Sequence, residues 1–141
     1  MESLWVAEKL GRPIAKAWNS IGSDSLAKLG TPPGTKGRIA LSFAANREED
    51  REITARLIDE TGFDAYFAGP LEDSWRQQPG NPAYCSDYPI EELPAKLAAA
   101  NRVRAPRLRD LGAMIFAERA GDPKTNPDSE FGVKLNRLLT S

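Results

Sequence analysis

The sequence contains no histidine, and this absence excludes several classes of active site. An imidazole is the commonest general base and metal ligand, and it activates the nucleophile in Ser-His and Cys-His pairs. Hydrolases built on such pairs are therefore excluded. The chain has one cysteine, Cys85, so it forms no internal disulfide and no cysteine-based zinc site. With no histidine to activate it, we expect Cys85 to be a small packed side chain and not a nucleophile.

The chain also lacks an excess of charge of either sign. Its 141 residues include 19 Lys and Arg and 20 Asp and Glu, for a net charge of −1. Proteins that bind nucleic acid usually carry a basic excess, so the composition predicts no nucleic-acid partner. One basic cluster contains Arg102, Arg104, Arg107 and Arg109. We interpret it as a solvated helix end, because cations are stable near a helix C-terminus. The alternative is that the cluster binds a phosphate or a carboxylate.

Long hydrophobic runs are missing as well. No apolar stretch approaches the roughly 18 residues that a bilayer span needs, so no membrane association is expected. The first residues, Met1 to Trp5, lack the basic region and apolar stretch of a signal peptide. Because a single cysteine also fits a reducing compartment, the expected location is the cytoplasm.

What is present is a hydrophobic pattern that predicts an α/β fold. A buried strand at 38–45, an amphipathic helix at 47–61 capped by Asn46 and a strand at 63–68 follow one another. A crossover of that length joins parallel strands. With an earlier strand at 14–19, the pattern predicts a short parallel sheet of about three strands.

Further helices are predicted at 2–10, 24–29, about 90–104, about 107–120 and 129–139. The length predicts a single α/β domain over 1–141. It divides into a partial sheet over about 1–70, a polar, aromatic-rich site loop over 71–89 and a helical C-terminal tail over 90–141.

The chain has no Gly-x-Gly-x-x-Gly sequence. Gly30, Gly34 and Gly37 lie in a loop that leads into a strand, so they cannot hold a pyrophosphate at a helix N-terminus. A sheet of three strands also leaves at least one apolar edge open, and open edges pair with other strands. We therefore expect either a homo-oligomer or additional strands from a preceding domain.

Several segments resemble a known family. Pro13-Ile14-Ala15-Lys16-Ala17-Trp18-Asn19 resembles the Val-Val-Lys-Ala-(Phe/Trp)-Asn strand of predicted dinucleotide-binding enzymes related to NADPH-dependent deazaflavin-coenzyme reductases. Gly62-Phe63-Asp64-Ala65 matches the entry to a later strand of that family. Gly69-Pro70-Leu71 and Ser74-Trp75-Arg76-Gln77-Gln78-Pro79-Gly80 are similar to the loop that follows it. The resemblance covers about residues 3–110.

This resemblance implies that the chain is the second half of a Rossmann-like unit. In the family, the first half carries the glycine fingerprint and holds NADP, while the second half completes the sheet, walls the hydride-transfer site and helps the protein to dimerise. This chain resembles only the second half. The implied cofactors are NADP and, as a second flat cofactor, a deazaflavin coenzyme or a small substrate.

The candidate site residues come from two segments. Asn19 ends the first strand at the sheet edge where ligands bind in α/β proteins, and the resemblance implies that it faces the nicotinamide and the substrate. Ser20 is a candidate substrate-binding residue beside it, with capping of the next turn as its alternative role. An equally good interpretation is that Asn19 is a turn residue whose side chain bonds its own backbone.

The second segment is the loop Trp75, Arg76, Gln77, Gln78, Pro79 and Gly80, which follows the third strand. An indole stacks on a flat ring, a guanidinium pairs with a carboxylate or phosphate, and amides orient a ligand. Hydride transfer needs two rings held close in a dry site and little acid–base chemistry, so the lack of histidine is compatible with it. Structurally, Trp75 could instead attach the loop to the helical tail, with Arg76 paired to a carboxylate.

Two hypotheses about function follow. The first is the C-terminal portion of an NADP-dependent oxidoreductase without its glycine-rich, cofactor-binding half; no catalytic side chain can be named, and no metal is expected. The alternative is a non-catalytic dimerisation or interaction module from a truncated or degenerate homologue. A small-ligand protein that uses the Arg102–Arg109 cluster is a third, weaker possibility.

Overall fold

The computed structural model describes residues 2–141 and has an α/β fold with a three-stranded sheet and C-terminal helices. The elements in chain order are α1 (Glu2–Leu10), β1 (Ala15–Lys16), α2 (Ser23–Lys28), β2 (Ala40–Ala45), α3 (Glu48–Glu60), β3 (Asp64–Phe67), a 3₁₀ helix (Leu71–Gln77), α4 (Leu93–Ala98), α5 (Ala105–Arg119) and α6 (Ser129–Leu139). The helices of this part of the chain include none that is both long and apolar enough to span a membrane.

The segment β2–α3–β3 is the predicted strand–helix–strand unit. β2 and β3 pair in parallel, with Ala40 opposite Asp64 and Phe43 opposite Phe67. All six residues of β2 are buried, because helices and loops cover both faces of a strand that is joined by a crossover. The predicted cap differs: Arg47 occupies the N-cap position of α3, while Asn46 Oδ1 accepts a hydrogen bond from the Leu71 backbone N–H at 2.9 Å.

The orientation of β1 corrects the sequence-based expectation of three parallel strands. β1 has two residues and runs antiparallel to β2, with Ala15 opposite Ala45 and Lys16 opposite Ala44. The chain leaves the strand at Trp18, whose φ of 56° is in the left-handed region. Only α3 is a crossover that requires parallel neighbours. The connection from β1 to β2 imposes no direction, so the sheet is mixed.

Two apolar clusters cover the two faces of the sheet. Leu41 and Phe43 pack with Ile58 of α3 on one face. On the other face, Ala40 packs with Tyr88 and with Leu93 and Leu97 of α4. Neighbouring positions of β2 point to opposite faces, as strand geometry requires. The sheet is thus the middle layer, with α3 on one side and the segment after the 3₁₀ helix on the other.

Arg38 joins the start of β2 to the end of α3 and the start of β3. Its side chain is only 2% exposed and donates to the carboxylates of Asp59 at 2.7 Å and Asp64 at 2.8 Å. It also donates to the backbone carbonyls of Thr31 and Gly62. A buried charge is stable only when it is paired and hydrogen-bonded, and here the guanidinium has four such partners.

The part after β3 differs from its prediction in two places. The predicted loop at 71–89 begins with a 3₁₀ helix, and the predicted helix at 90–104 is shortened to Leu93–Ala98. The next helix, α5, begins at Ala105. Helix α6 has the predicted bounds, and its N-cap Asp128 accepts a hydrogen bond from the Phe131 N–H. α5 and α6 pack through Phe116 and Phe131, with ring centroids 5.6 Å apart.

Candidate functional site

The turn after β1 and the end of the 3₁₀ helix meet through Asn19. The Asn19 side-chain amide donates to the backbone carbonyl of Gln77 at 2.7 Å. Its position follows from the left-handed conformation of Trp18, which turns the chain away from the sheet. Two segments that the sequence predicted to share a site are therefore in contact, although β1 runs opposite to the expected direction. Their role in binding stays a prediction.

Unpartnered polar atoms concentrate in this region. Among residues 2–141, six buried side-chain nitrogen or oxygen atoms have no hydrogen-bond partner, and four of these belong to Asn19 (Oδ1), Trp75 (Nε1) and Gln77 (Nε2 and Oε1). Gln77 is 0% exposed. Buried polar groups in folded proteins are nearly always satisfied, so each exception needs an explanation such as a ligand. A buried amide with a free donor and a free acceptor can bind a planar group that presents both.

Trp75 is in contact with two arginines. The Cζ atom of Arg76 lies 4.6 Å from the ring centroid and that of Arg102 lies 4.5 Å from it. Such cation–π contacts are stabilising, by about 0.5–1 kcal/mol where they are exposed. Arg102 belongs to the segment just before α5, so Trp75 does attach the loop to the helical tail. Arg76 donates to the Leu97 carbonyl at 3.3 Å, and no carboxylate of residues 2–141 is its ion-pair partner.

A buried asparagine holds the loop against the start of α5. Asn81, 2% exposed, donates to the carbonyls of Trp75 at 2.9 Å and Gln78 at 3.3 Å and accepts from the Asn101 backbone N–H at 3.1 Å. Asn101 in turn accepts from the backbone N–H groups of Val103 and Arg104. No local sequence pattern indicates this chain of bonds, because its two asparagines lie 20 positions apart and asparagine is common in loops.

Two of the predicted site residues are explained by packing. Ser20 is 6% exposed, its hydroxyl lies 3.4 Å from that of Ser42, and its carbonyl accepts from the Cys85 N–H. A Cβ at Gly80, where φ is +86°, would lie 2.0 Å from the Ala105 carbonyl oxygen. Gly80 is therefore required for α5 to approach the loop. Pro79 lines two pockets, one that also contains Cys85 and one that also contains Trp75.

The arginine cluster is at the opposite helix end from the one expected. The interpretation as a solvated C-terminus assumed a helix over 90–104, but α4 ends at Ala98. Arg104 instead occupies the N-cap position of α5, and Arg107 lies in its first turn. Cations near a helix N-terminus are opposed by the helix dipole. The cluster therefore needs a different explanation.

Cys85 and Tyr84 line a pocket of about 450 Å³ between the loop and helices α5 and α6. Burial raises the pKa of the Cys85 thiol to about 11 and that of the Tyr84 hydroxyl to about 12. Both groups are thus neutral at physiological pH, and neither is poised as a nucleophile or base. Within residues 2–141 no group of three or more His, Cys, Asp or Glu side chains could hold a metal ion.

The strand-to-helix turn of this chain differs from the turn that a dinucleotide cofactor needs. The turn from β2 to α3 contains Asn46 and Arg47 and no glycine, and three acidic residues follow it at Glu48, Glu49 and Asp50. Carboxylates at this position repel a pyrophosphate, which needs close backbone N–H groups and positive potential. This turn therefore does not fit the pyrophosphate of NADP.

Comparison with known proteins gives two similar chains. The curated protein YjhV of Escherichia coli (strain K12) is 36% identical over 81 residues, which are 55% of this chain and 59% of that protein. The crystal structure of hypothetical protein SMa0349 from Sinorhizobium meliloti is 27% identical and covers 52% of this chain and 36% of that one, with a TM-score of 0.46. No family model matches. The chain thus spans less than two thirds of the length of either protein.

Proposed function

We propose that this chain is the C-terminal portion of an NADP-dependent oxidoreductase of the deazaflavin-reductase-like group. In this proposal it forms the wall that holds the second flat cofactor or the substrate, while NADP is held by a glycine-rich half that is not part of these residues. The supporting observation is that four of the six unpartnered buried side-chain atoms of residues 2–141 lie on Asn19, Trp75 and Gln77.

The chemistry of these atoms suits a flat polar ring. Asn19 Oδ1 and Gln77 Oε1 are acceptors, and Gln77 Nε2 and Trp75 Nε1 are donors. The edge of a deazaflavin ring carries both carbonyl acceptors and an N–H donor, so it matches this set. The Asn19 Nδ2 group donates to the Gln77 carbonyl. This hydrogen bond fixes the orientation of the amide and therefore the direction of its free acceptor, Oδ1. The protein's contribution is to orient the ring and to exclude water.

The test is a ligand titration of the 141-residue chain in which binding is monitored by tryptophan fluorescence. We expect saturable quenching with deazariboflavin and none with NADPH when both titrations are made in excess inorganic phosphate, which fills any general anion site, because the turn from β2 to α3 does not fit a pyrophosphate. The variant Gln77→Leu removes the buried amide without leaving a large cavity. If the amide serves a ligand, this variant should lose deazaflavin quenching and keep or gain stability, since an unsatisfied buried group costs about 1–3 kcal/mol.

Three results would count against the proposal. Saturable micromolar binding of NADPH by this chain alone would show that no second half is needed. A large loss of stability in Gln77→Leu would assign the amide a structural role. Absence of quenching by either ligand would favour a non-catalytic dimerisation module. The control is Thr31→Val, which removes another buried, unpartnered polar atom in the loop before β2, outside the candidate site segments; it should leave deazaflavin quenching unchanged.

A non-catalytic dimerisation module is the second candidate function. Helix α5 has only one buried residue, Ala105, and exposes Leu111 (44%) and Met114 (69%), with Val103 (73%) just before it. Large apolar side chains that are exposed together mark protein interaction surfaces.

A further inference from the structure

A pocket of about 440 Å³ lies between the Trp75 indole and the start of α5. Arg102 and Arg109 line it together with Trp75 and Asn81. Its volume is in the range of small-molecule sites. Because it lies among residues of this chain alone, a ligand bound there would require neither NADP nor a second half.

Of the two arginines that line this pocket, Arg102 has no acidic partner among residues 2–141 and Arg109 has an exposed one. Among residues 2–141, no carboxylate lies within ion-pair distance of Arg102, Arg104 or Arg107. Arg109 pairs with its neighbour Asp110 at 2.8 Å, but both side chains are more than half exposed, and such pairs contribute little. The carboxylate that lines the pocket, Glu2, pairs with Lys16 at 3.6 Å. The pocket therefore presents guanidinium groups that an anion could engage.

The position of the cluster gives an independent reason to expect an anion. Arg104 and Arg107 lie at the N-terminus of the 15-residue helix α5, where the dipole opposes a positive charge. Mutual repulsion adds to this, since four arginines lie within eight positions. A bound anion would reduce both effects.

The pocket is also held in place before any ligand arrives. Asn81, almost completely buried, bonds the loop carbonyls on one side and the Asn101 N–H on the other. Arg102 lies next to Asn101 and its guanidinium lies against the Trp75 ring, 4.5 Å from the centroid. A guanidinium that is oriented in advance loses less conformational entropy on binding.

We propose that this pocket binds the phosphate group of a small phosphorylated molecule through Arg102 and Arg109. A phosphate monoester carries up to two negative charges and three acceptor oxygens, which suits two guanidinium groups better than a single carboxylate does. The overall net charge of −1 does not favour a nucleic-acid backbone, which requires an extended basic surface. The inference goes beyond the proposed function, because it concerns a phosphate site and no redox reaction.

Calorimetric titration of the 141-residue chain at low ionic strength tests this proposal, with inorganic phosphate and glycerol 3-phosphate as probes and glycerol as the neutral control. We expect saturable binding of both anions and none of glycerol. Equal affinities would identify free phosphate as the ligand, and tighter binding of the ester would identify a phosphorylated metabolite. Arg102→Gln should weaken binding about tenfold, as the loss of a charge-assisted hydrogen bond does.

Arg56→Gln is the matched control, because Arg56 is an exposed arginine on α3 with the same charge. It should change the affinity less than twofold. Equal weakening by both variants would show that net charge alone is responsible, and absence of saturable binding would refute the site. A short single-stranded oligonucleotide that binds far more tightly than glycerol 3-phosphate would also overturn the proposal. Gln77→Leu should leave phosphate binding intact, so this proposal and the oxidoreductase proposal can fail separately.

Discussion

Two buried polar side chains, Arg38 and Gln77, differ in whether their hydrogen-bonding groups have partners. Arg38 is buried with its guanidinium hydrogen-bonded to four residues, as is usual for a charge in a protein interior. Gln77 is equally buried with neither end of its amide bonded. The first arrangement stabilises the fold, and the second is stable only if other interactions of the fold offset its cost. This contrast is why Gln77 is the central residue of the proposed function.

Cys85 provides a prediction at the residue scale. Burial raises the pKa of its thiol from 9 to about 11, so at a given pH below 9 it has about a hundredfold less thiolate than an unperturbed thiol. We expect iodoacetamide to modify the native protein much more slowly than the unfolded protein at mildly alkaline pH. Alkylation rates measured with and without denaturant check this. Equal rates in the two states would contradict the assignment.

The same shift gives stability a pH dependence of known sign. Because the folded pKa of Cys85 is raised, the folded state retains the thiol proton between about 9 and about 11, where the unfolded state has lost it. Stability should therefore decrease as pH rises through this window. The variant Cys85→Ala should show a smaller decrease, with the remaining change due to Tyr84, whose pKa is also raised by burial.

At the scale of elements, the contact between the loop and α5 depends on Gly80. A Cβ there would lie 2.0 Å from the Ala105 carbonyl oxygen and 2.9 Å from the Arg109 backbone nitrogen. Neither atom can move without displacing the helix that carries Arg109 and shapes the phosphate pocket. The close packing of Ala105 against the loop thus requires a glycine 25 positions earlier.

The variant Gly80→Ala tests this dependence, with Gly34→Ala as its control. Both glycines have positive φ, +86° and +79°, but no atom lies within 4 Å of a Cβ at Gly34. The two variants share the conformational cost of alanine in the left-handed region. We expect Gly80→Ala to lower the free energy of unfolding by about 2 kcal/mol more than Gly34→Ala, from overpacking. Denaturant melts measure the difference, and equal losses would contradict the contact.

At the scale of the whole molecule, two open surfaces remain. β3 is an edge strand of the sheet, with β2 on one side only, and Phe67 at its end is 39% exposed. Helix α5 exposes Leu111 and Met114. Unpaired strand edges and exposed apolar patches both favour association with another chain.

We therefore expect the isolated chain to form a homo-oligomer through α5. Sedimentation velocity over a range of concentrations measures this, and Met114→Glu should shift the equilibrium toward the monomer by placing a charge in the contact. Leu29→Glu is the control, since Leu29 is a half-exposed apolar residue that follows α2. A chain that stays monomeric at high concentration would argue against the dimerisation module and against the predicted oligomer.

Local patterns were sufficient to predict much of the fold. The helix at 129–139, the N-terminal helix at 2–10 and the strand–helix–strand unit at 40–67 agree with the structure to within a few residues. Their signals are caps, stop residues and hydrophobic periods, all of which act over a few positions. The sequence also proposed two segments of a candidate site, and Asn19 and Gln77 are in contact in the structure. The expected reason, a shared sheet edge, is wrong, because β1 is antiparallel to β2, and the role of these segments in binding stays a prediction.

Long-range contacts decided what these patterns left open. The antiparallel direction of β1, the boundary of α5 at Ala105 and the buried, unbonded amide of Gln77 all depend on partners far away in the chain. The arginine cluster shows the consequence for function. Its four residues are evident in the sequence, but their position at a helix N-terminus beside Trp75 exists only after the chain has folded, because packing places Asn81 against Asn101.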